Sequence, residues 1–419
     1  MTKLPEMTPP QPAASNPKPL ALHMSLQALT WLSALSALPH WSNGSLSLKA
    51  RNGKDLRAND LLPPNLNIED FAGAVTREAG QRLQQFSDGI KNYQGYPRHP
   101  RPSEPPAIWT SGSTRLLDYG IISTSSSAPP VLVIPSLINR AYILDLALDR
   151  SLMRHLAATG LRPLLVDWGW PEEQELDFGL DQYIGERLQA ILNFVRTETA
   201  RRPALIGYCM GGNLALALAG RNPGAVSALA LLATPWDFHS DGGVTARFLD
   251  MMAPALKNLI AQMGVLPVDM LQAMFAGLDP AQTGVKFRHF ATATKDSDAT
   301  KRFILLEDWV NDGVPLPGKV ALECLFGWYR DNTPSSGNWK IGGEVVDPTK
   351  ILLPTFAAIP SKDHIVPPAS AQALADILPN VHILTPPAGH IGMVAGGQAK
   401  QRLYEPLSHW LTEQIPNKS

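Results

Sequence analysis

The chain has 419 residues, 44% hydrophobic and 17% charged, with a formal net charge of −1 at pH 7; it is long enough to bury a large core and too apolar to be disordered. So balanced a charge provides no basic surplus for gripping phosphates, which excludes nucleic acid as the expected partner. Two cysteines, Cys209 and Cys324, are too few for a disulfide framework and fit a reducing, cytoplasmic compartment.

In chain order, the first nineteen residues carry Pro5, Pro9, Pro10, Pro12, Pro17 and Pro19 and read as a flexible tail. A helix is expected next, to about Leu38. Its leucines and alanines are interrupted by His23, Ser25, Gln27, Thr30, Ser33 and Ser36, so no transmembrane segment is expected there. A secretory signal is not expected either, since the start is proline-rich and polar. Between Asn59 and Gly95 the spacing of Ile68, Phe71, Val75 and Ala79 predicts one or two more helices, and Tyr96 to Pro106 a proline-rich linker.

Beyond the linker short apolar strands alternate with helices, the pattern of a mostly parallel, doubly wound sheet covered on both faces. Strands are expected at Thr114–Tyr119, Pro130–Pro135, Arg162–Asp167, Pro203–Tyr208, Ala228–Ala233, Leu352–Ile359 and Val381–Leu384. Helices are expected near Leu144–Ala158, Leu180–Thr199, Gly211–Arg221, Ala369–Leu378 and Lys400–Thr412. From His239 to Asp347 the strands give way to segments rich in Met, Leu and Phe, read as a helical cap inserted between core strands. The expected domains are therefore residues 1–110, an N-terminal extension; 111–238, the first part of an α/β core; 239–347, the cap; and 348–419, the second part of the core.

The strand ending Gly207-Tyr208 runs directly into Cys209-Met-Gly-Gly212 and then into a helix. This G-x-C-x-G pattern is a nucleophile elbow, with cysteine in place of the more common serine. Gly207, Gly211 and Gly212 are expected where side chains would strike the neighbouring strand and helix. Cysteine at a helix N-terminus is well placed to act as a thiolate. An elbow nucleophile needs an acid and then a histidine later in the chain. Asp363 ends one expected strand and His390 lies on the loop behind the next. His364 and His382 are the local alternatives, but one adjoins the acid and the other sits within a strand. An oxyanion hole requires the amide after the nucleophile, Met210, and a second from the loop after an earlier strand, for which Ile138 is the candidate. The scattered Cys209, Asp363 and His390 do not have metal-site spacing, and no dinucleotide or phosphate-loop fingerprint occurs, so no metal or cofactor is expected.

With these residues in place, the sequence resembles the polyhydroxyalkanoate (poly-beta-hydroxybutyrate) synthase family of the α/β-hydrolase superfamily. The likeness rests on Val131 to Leu146, the cysteine box Gly207-Tyr-Cys-Met-Gly-Gly212, the acid loop Asp363-His-Ile-Val-Pro367 and the histidine loop Gly389-His-Ile391. It implies an acyltransferase that moves 3-hydroxyacyl groups from coenzyme A thioesters to a growing polyester through a Cys209 acyl-enzyme. In that reading His390 is the base and Asp363 its orienting acid. Coenzyme A enters as part of the substrate rather than as a cofactor. The resemblance also brings a polymer granule surface and a homodimer as candidate partners. The sequence departs from the family in the cap, where Leu306-Glu-Asp-Trp-Val-Asn-Asp-Gly-Val-Pro315 only partly echoes a Tyr-Trp-Asn-x-Asp signature. A cysteine acyl-enzyme is itself a thioester and keeps the acyl group activated, which favours transfer. Water in place of the hydroxyl acceptor would give a thioesterase or esterase with the same residues, and a non-catalytic granule protein is the third alternative.

Overall fold

The structure is a computed structural model that describes residues 16–42, 47–49, 55–57, 67–98, 100–122 and 128–415. Most of the expected N-terminal tail (1–15) and the expected helical stretch at 59–66 lie outside the described residues. Helix α1 spans Leu20–Ser42 and α2 spans Ile68–Gly95, the latter capped by Asn67, whose side chain accepts from the Glu69 amide. Such a cap satisfies one of the amide groups left unpaired at a helix start.

Eight strands build the central sheet: β1 (Ala107–Ser111), β2 (Thr114–Asp118), β3 (Pro130–Ile134), β4 (Arg162–Asp167), β5 (Ala204–Tyr208), β6 (Leu229–Leu232), β7 (Thr355–Ala358) and β8 (Val381–Leu384). Their spatial order is β8-β7-β6-β5-β3-β4-β2-β1. The β1–β2 and β2–β4 pairs are antiparallel and all others are parallel. Seven of these strands overlap the expected ones; β1 was missed, because it begins directly behind the proline-rich stretch and alternates only weakly between inside and outside. Val131 to Ile134 and Ala204 to Ile206 are fully buried, as expected for strands covered on both faces. Each large apolar side chain taken out of water there contributes about 1.5–3 kcal/mol.

The helix expected over Leu144–Ala158 is shorter: α3 covers only Leu152–Ala158. Asp145–Ala147 and Arg150–Ser151 instead form a small antiparallel hairpin. Its cause is local polar bonding. Asp145 accepts from Tyr119 at 2.9 Å and from Arg154 at 2.8 and 3.1 Å, and Ser151 caps α3 by accepting from the Arg154 amide. Helix α4 (Gln189–Thr199) continues a π-helical stretch, Gln182–Leu188. Helix α5 (Met210–Arg221) leaves the end of β5.

Between β6 and β7 the chain is mostly helical: α6 (Val244–Met263), α7 (Val268–Leu278), α8 (Gln282–Ala291), α9 (Asp298–Asn311) and α10 (Gly318–Leu322), the last running on into the π-helical Glu323–Arg330, with two short antiparallel pairs, Val265–Leu266 with Leu316–Pro317 and Lys340–Ile341 with Glu344–Val345. Helices α11 (Pro368–Ala375), α12 (His390–Ala395) and α13 (Glu405–Gln414) complete the core. No helix among the described residues is long and apolar enough to cross a membrane.

The chain separates into two compact units, and the insertion is shared between them. Among the described residues, those from 100 to 271 and from 312 to 415 form the α/β unit, while those from 16 to 98 and from 272 to 311 form a helical unit. In the helical unit Phe86, Ile90 and Tyr93 of α2 pack with Phe287 and Phe290 of α8 and Ile304 of α9. The two helices approach so closely that a Cβ at Gly89 would stand 2.0 Å from the Phe287 carbonyl oxygen.

Candidate active site

In a doubly wound sheet the ligand crevice opens at the carboxyl ends of the strands where the winding direction reverses. Here β3 and β5 are neighbours, with β4 on one side and β6 on the other. The loops that leave β3 and β5 therefore face each other across that crevice. The first is Pro135 to Arg140; the second begins with Cys209.

Cys209 has φ 56° and ψ −129°, a strained conformation for a side-chain-bearing residue. Its amide is anchored to the Leu232 carbonyl of β6 at 2.8 Å, and its carbonyl accepts from Gly212 at 2.9 Å. The neighbouring glycines make the turn possible. A Cβ on Gly207 would lie 2.4 Å from the Gly212 Cα, one on Gly211 would lie 2.1 Å from the Ile134 carbonyl oxygen, and one on Gly212 would lie 1.8 Å from Thr234 Oγ1. Each glycine thus lets α5 press against β3, β5 or the exit of β6. The turn leaves Cys209 partly exposed at the start of α5.

The acid and histidine loops are joined to each other by backbone bonds. Ser361 donates to Pro386, Lys362 to Ala388, and Ile359 to Leu384, at 2.9, 3.0 and 2.8 Å. This pairing extends β7 and β8 past their ends. It brings His390 Nδ1 to 2.7 Å from Asp363 Oδ2, both side chains being buried. The other carboxylate oxygen accepts from the Ile365 and Val366 amides at 2.8 and 2.9 Å, so Asp363 cannot rotate without losing those bonds. Cys209 lies close enough to His390 for its sulfur to favour the charged form of the ring. Burial opposes its charged form, but the Cys209 sulfur and the Asp363 carboxylate outweigh burial and push His390 up to about 10. The alternatives lie elsewhere: His364 is exposed, and His382 stacks on Phe356 along β8, 5.4 Å between ring centroids.

Tyr208, the residue before the cysteine, was not singled out from sequence. Its ring lies 5.1 Å from that of His390, and its hydroxyl donates to the His390 carbonyl at 3.3 Å. Burial, with Cys209 and Asp363 nearby, pushes its phenol well up, so it stays neutral. The variable position of a G-x-C-x-G box carries no signal of this contact.

Met210 is the first residue of α5 and is buried. Ile138 lies on the facing loop, where Trp168 Nε1 donates to the Pro135 carbonyl at 3.1 Å. The Ile138 amide donates to Ser136 Oγ at 3.2 Å, and its carbonyl accepts from the Val314 amide at 3.3 Å. An amide held by Ser136 must turn away from that hydroxyl before it can serve an oxyanion.

Residues 129–396 match the family model described as the alpha/beta hydrolase fold. Among curated relatives, the poly(3-hydroxyalkanoate) polymerase subunit PhaC of Allochromatium vinosum is 29% identical over 339 residues, covering 80% of this chain and 94% of that protein. The same-named subunit of Synechocystis is 29% identical over 351 residues, with 79% and 90% covered. That of Haloferax mediterranei is 28% identical over 310 residues, with 73% of this chain but only 63% of that longer protein covered. The resemblance read from the four sequence segments is thus matched along most of the chain. By its sheet order, its elbow and the family model spanning most of its length, the chain belongs to the α/β-hydrolase fold family.

Proposed function

We propose that this protein is an acyltransferase of the polyhydroxyalkanoate synthase kind, which polymerises 3-hydroxyacyl groups from coenzyme A thioesters through Cys209. The observation that carries the reading is the buried Asp363–His390 pair, 2.7 Å apart, within electrostatic reach of Cys209 on its strained turn. Similarity to the polymerase subunits supports the choice of substrate class.

In this mechanism the Cys209 sulfur attacks the thioester carbonyl carbon and His390 holds the thiol proton. Negative charge gathers on the carbonyl oxygen, where the amides of Met210 and, once released from Ser136, Ile138 stabilise it. The carbon–sulfur bond to coenzyme A breaks, and His390 returns the proton to the departing sulfur. The new bond on Cys209 is again a thioester, so little free energy is lost. In the second half-reaction His390 takes the proton of a 3-hydroxyl group, whose oxygen attacks the Cys209 thioester. An ester forms as the acyl carbon–sulfur bond to Cys209 breaks, and His390 passes its proton to that sulfur, regenerating the thiol. Asp363 holds His390 in the tautomer and orientation that both transfers need. Thiol, imidazole and carboxylate supply all the chemistry, so the reaction needs no metal or cofactor.

Cysteines free of disulfides fit a cytoplasmic enzyme, and an insoluble polyester would carry it to a granule surface with a second copy as a candidate partner. The test is the fate of 3-hydroxybutyryl-coenzyme A mixed with the pure protein. Coenzyme A release with hydroxyacyl oligomers or polyester is expected. Stoichiometric free 3-hydroxybutyrate without oligomer would reject the transferase and leave a thioesterase; no thiol release would reject this acyl donor.

A further inference from the structure

The cap segment that departs from the family signature, Leu306 to Pro315, ends against the loop that faces Cys209. Asn139 and Gly313 form an antiparallel bridge, and Val314 donates its amide to the Ile138 carbonyl at 3.3 Å. Asp312 Oδ1 lies 3.5 Å from Arg140 Nε, and the Arg140 guanidinium lies 5.9 Å from the centre of the Trp170 ring. Three consecutive residues, 312, 313 and 314, thus meet three consecutive residues, 138, 139 and 140. Asp312 is also the residue at which the chain re-enters the α/β unit.

We infer that Asp312, Gly313 and Val314 are positioning residues for the second oxyanion donor, and that the Asp312–Arg140 ion pair sets the loop's register. The reasoning is geometric. The bond to Val314 fixes the peptide between Ile138 and Asn139, and the bridge to Gly313 fixes Asn139 itself. The Asn139 side-chain oxygen Oδ1 is buried without a hydrogen-bond partner, so it is the backbone bridge that holds this residue. The preceding peptide carries the Ile138 amide, whose partner is the hydroxyl of Ser136 two residues back and not the cap segment. The loop is therefore pinned on one side of Ile138 and adjustable on the other. An oxyanion donor needs that combination, because it must be placed to a fraction of an ångström when charge develops yet be satisfied when no substrate is bound. Both side chains of the ion pair are partly exposed, at 20% and 29%, so the pair contributes little to global stability. Its effect is expected on geometry instead.

This inference rests on Cys209 as the acyl-accepting nucleophile and not on the identity of the acyl group, so it is tested with two donors and one alkylating reagent. Acylation by p-nitrophenyl butyrate and by 3-hydroxybutyryl-coenzyme A passes through an oxyanion; alkylation by iodoacetamide attacks a tetrahedral carbon and does not. Asp312→Ala is expected to lower the acylation rate by about tenfold, the scale of a modest misplacement of a catalytic group, with KM and the alkylation rate unchanged. Asp312→Glu should recover part of the loss. Arg140→Lys, measured in the same way, provides a second route if Asp312→Ala does not fold. Equal loss of acylation and alkylation would overturn the inference by showing general damage to the site. Unchanged acylation in both variants would overturn it as well. If wild-type protein is acylated by the nitrophenyl ester but not by the coenzyme A thioester, the proposed substrate fails while the positioning test still reads out.

Discussion

The surroundings of Cys209 and Cys324 show how one side chain acquires two different chemistries in a single unit of the molecule. Cys209 sits on a strained turn at a helix start, partly open, with the His390 ring within electrostatic reach. Cys324 lies within the π-helical Glu323–Arg330, is buried, and has its thiol pushed well up by that burial and by the charge of Glu323. It lies inside a helix and not on an elbow, and buried with a raised thiol it behaves as a small apolar residue. Reactivity here is a property of the backbone and neighbours that hold a thiol rather than of the thiol.

The sharpest way to break this comparison is to remove each sulfur in turn. Cys209→Ala is expected to abolish acyl-enzyme formation and turnover, whereas Cys324→Ala should retain turnover close to that of the wild type; mass spectrometry after a short pulse of acyl donor detects the adduct. Turnover surviving in Cys209→Ala would remove the basis of the mechanism.

Next in size is the base. General acid–base catalysis is worth about 10²–10⁴-fold, and His390→Gln should lose a factor in that range. Asp363→Asn is expected to lose less in single-turnover acylation than in steady-state turnover, because a thiol needs less help from the base than a hydroxyl does. Stopped-flow release of coenzyme A separates the two steps. Activity lost in His364→Gln and kept in His390→Gln would show that the wrong histidine had been placed in the chain.

The elbow can be probed without touching either sulfur. Gly211→Ala puts a methyl group 2.1 Å from a β3 carbonyl, and the backbone shift needed to relieve it is expected to cost about 3 kcal/mol or more in chemical unfolding. The variant should also label more slowly at Cys209. Unchanged stability would mean that α5 does not press on β3 as described.

The last comparison concerns pH dependence. His390 is raised from its ordinary 6.5 to about 10 in the folded protein, so between those values the folded state binds more protons than the unfolded state. The stability this contributes is fully present below pH 6.5 and is lost as pH rises through about 10. Burial opposes the shift, and Cys209 is the largest of the effects that produce it. Stability in Cys209→Ala should therefore decline less steeply across that window. Denaturation at several pH values measures the slope, and an identical slope in both proteins would sever His390 from Cys209. Iodoacetamide labelling at neutral pH complements it: Cys209 should react rapidly and Cys324 only after unfolding.

Much of the fold was legible because the signals were local. Apolar runs marked β3, β4 and β5, and the glycines around Cys209 announced a turn whose crowding the atoms then displayed. The order of cysteine, aspartate and histidine pointed to residues that the folded chain brings together. Less legible were features made by distant partners. The helix expected from Leu144 was cut short by Asp145, whose carboxylate is engaged by Tyr119 and Arg154. Strand β1 is defined by its pairing with β2 rather than by its own pattern. Tyr208 touches His390 only because β7 and β8 carry the histidine loop back to the elbow.

By itself the sequence determined the periodicities, the glycine-lined elbow, and which residues bear a thiol, an imidazole and a carboxylate, since these depend on neighbours along the chain and on side-chain chemistry. Tertiary structure alone decided that Asp363 meets His390 through its Oδ2 while two amides hold its other oxygen, that the 239–347 insertion is divided between two units, and that residues 312 to 314 hold the loop opposite Cys209. The physical reason is that such contacts join residues far apart in sequence, and a hydrogen bond between them exists only after the sheet and its loops have closed the distance.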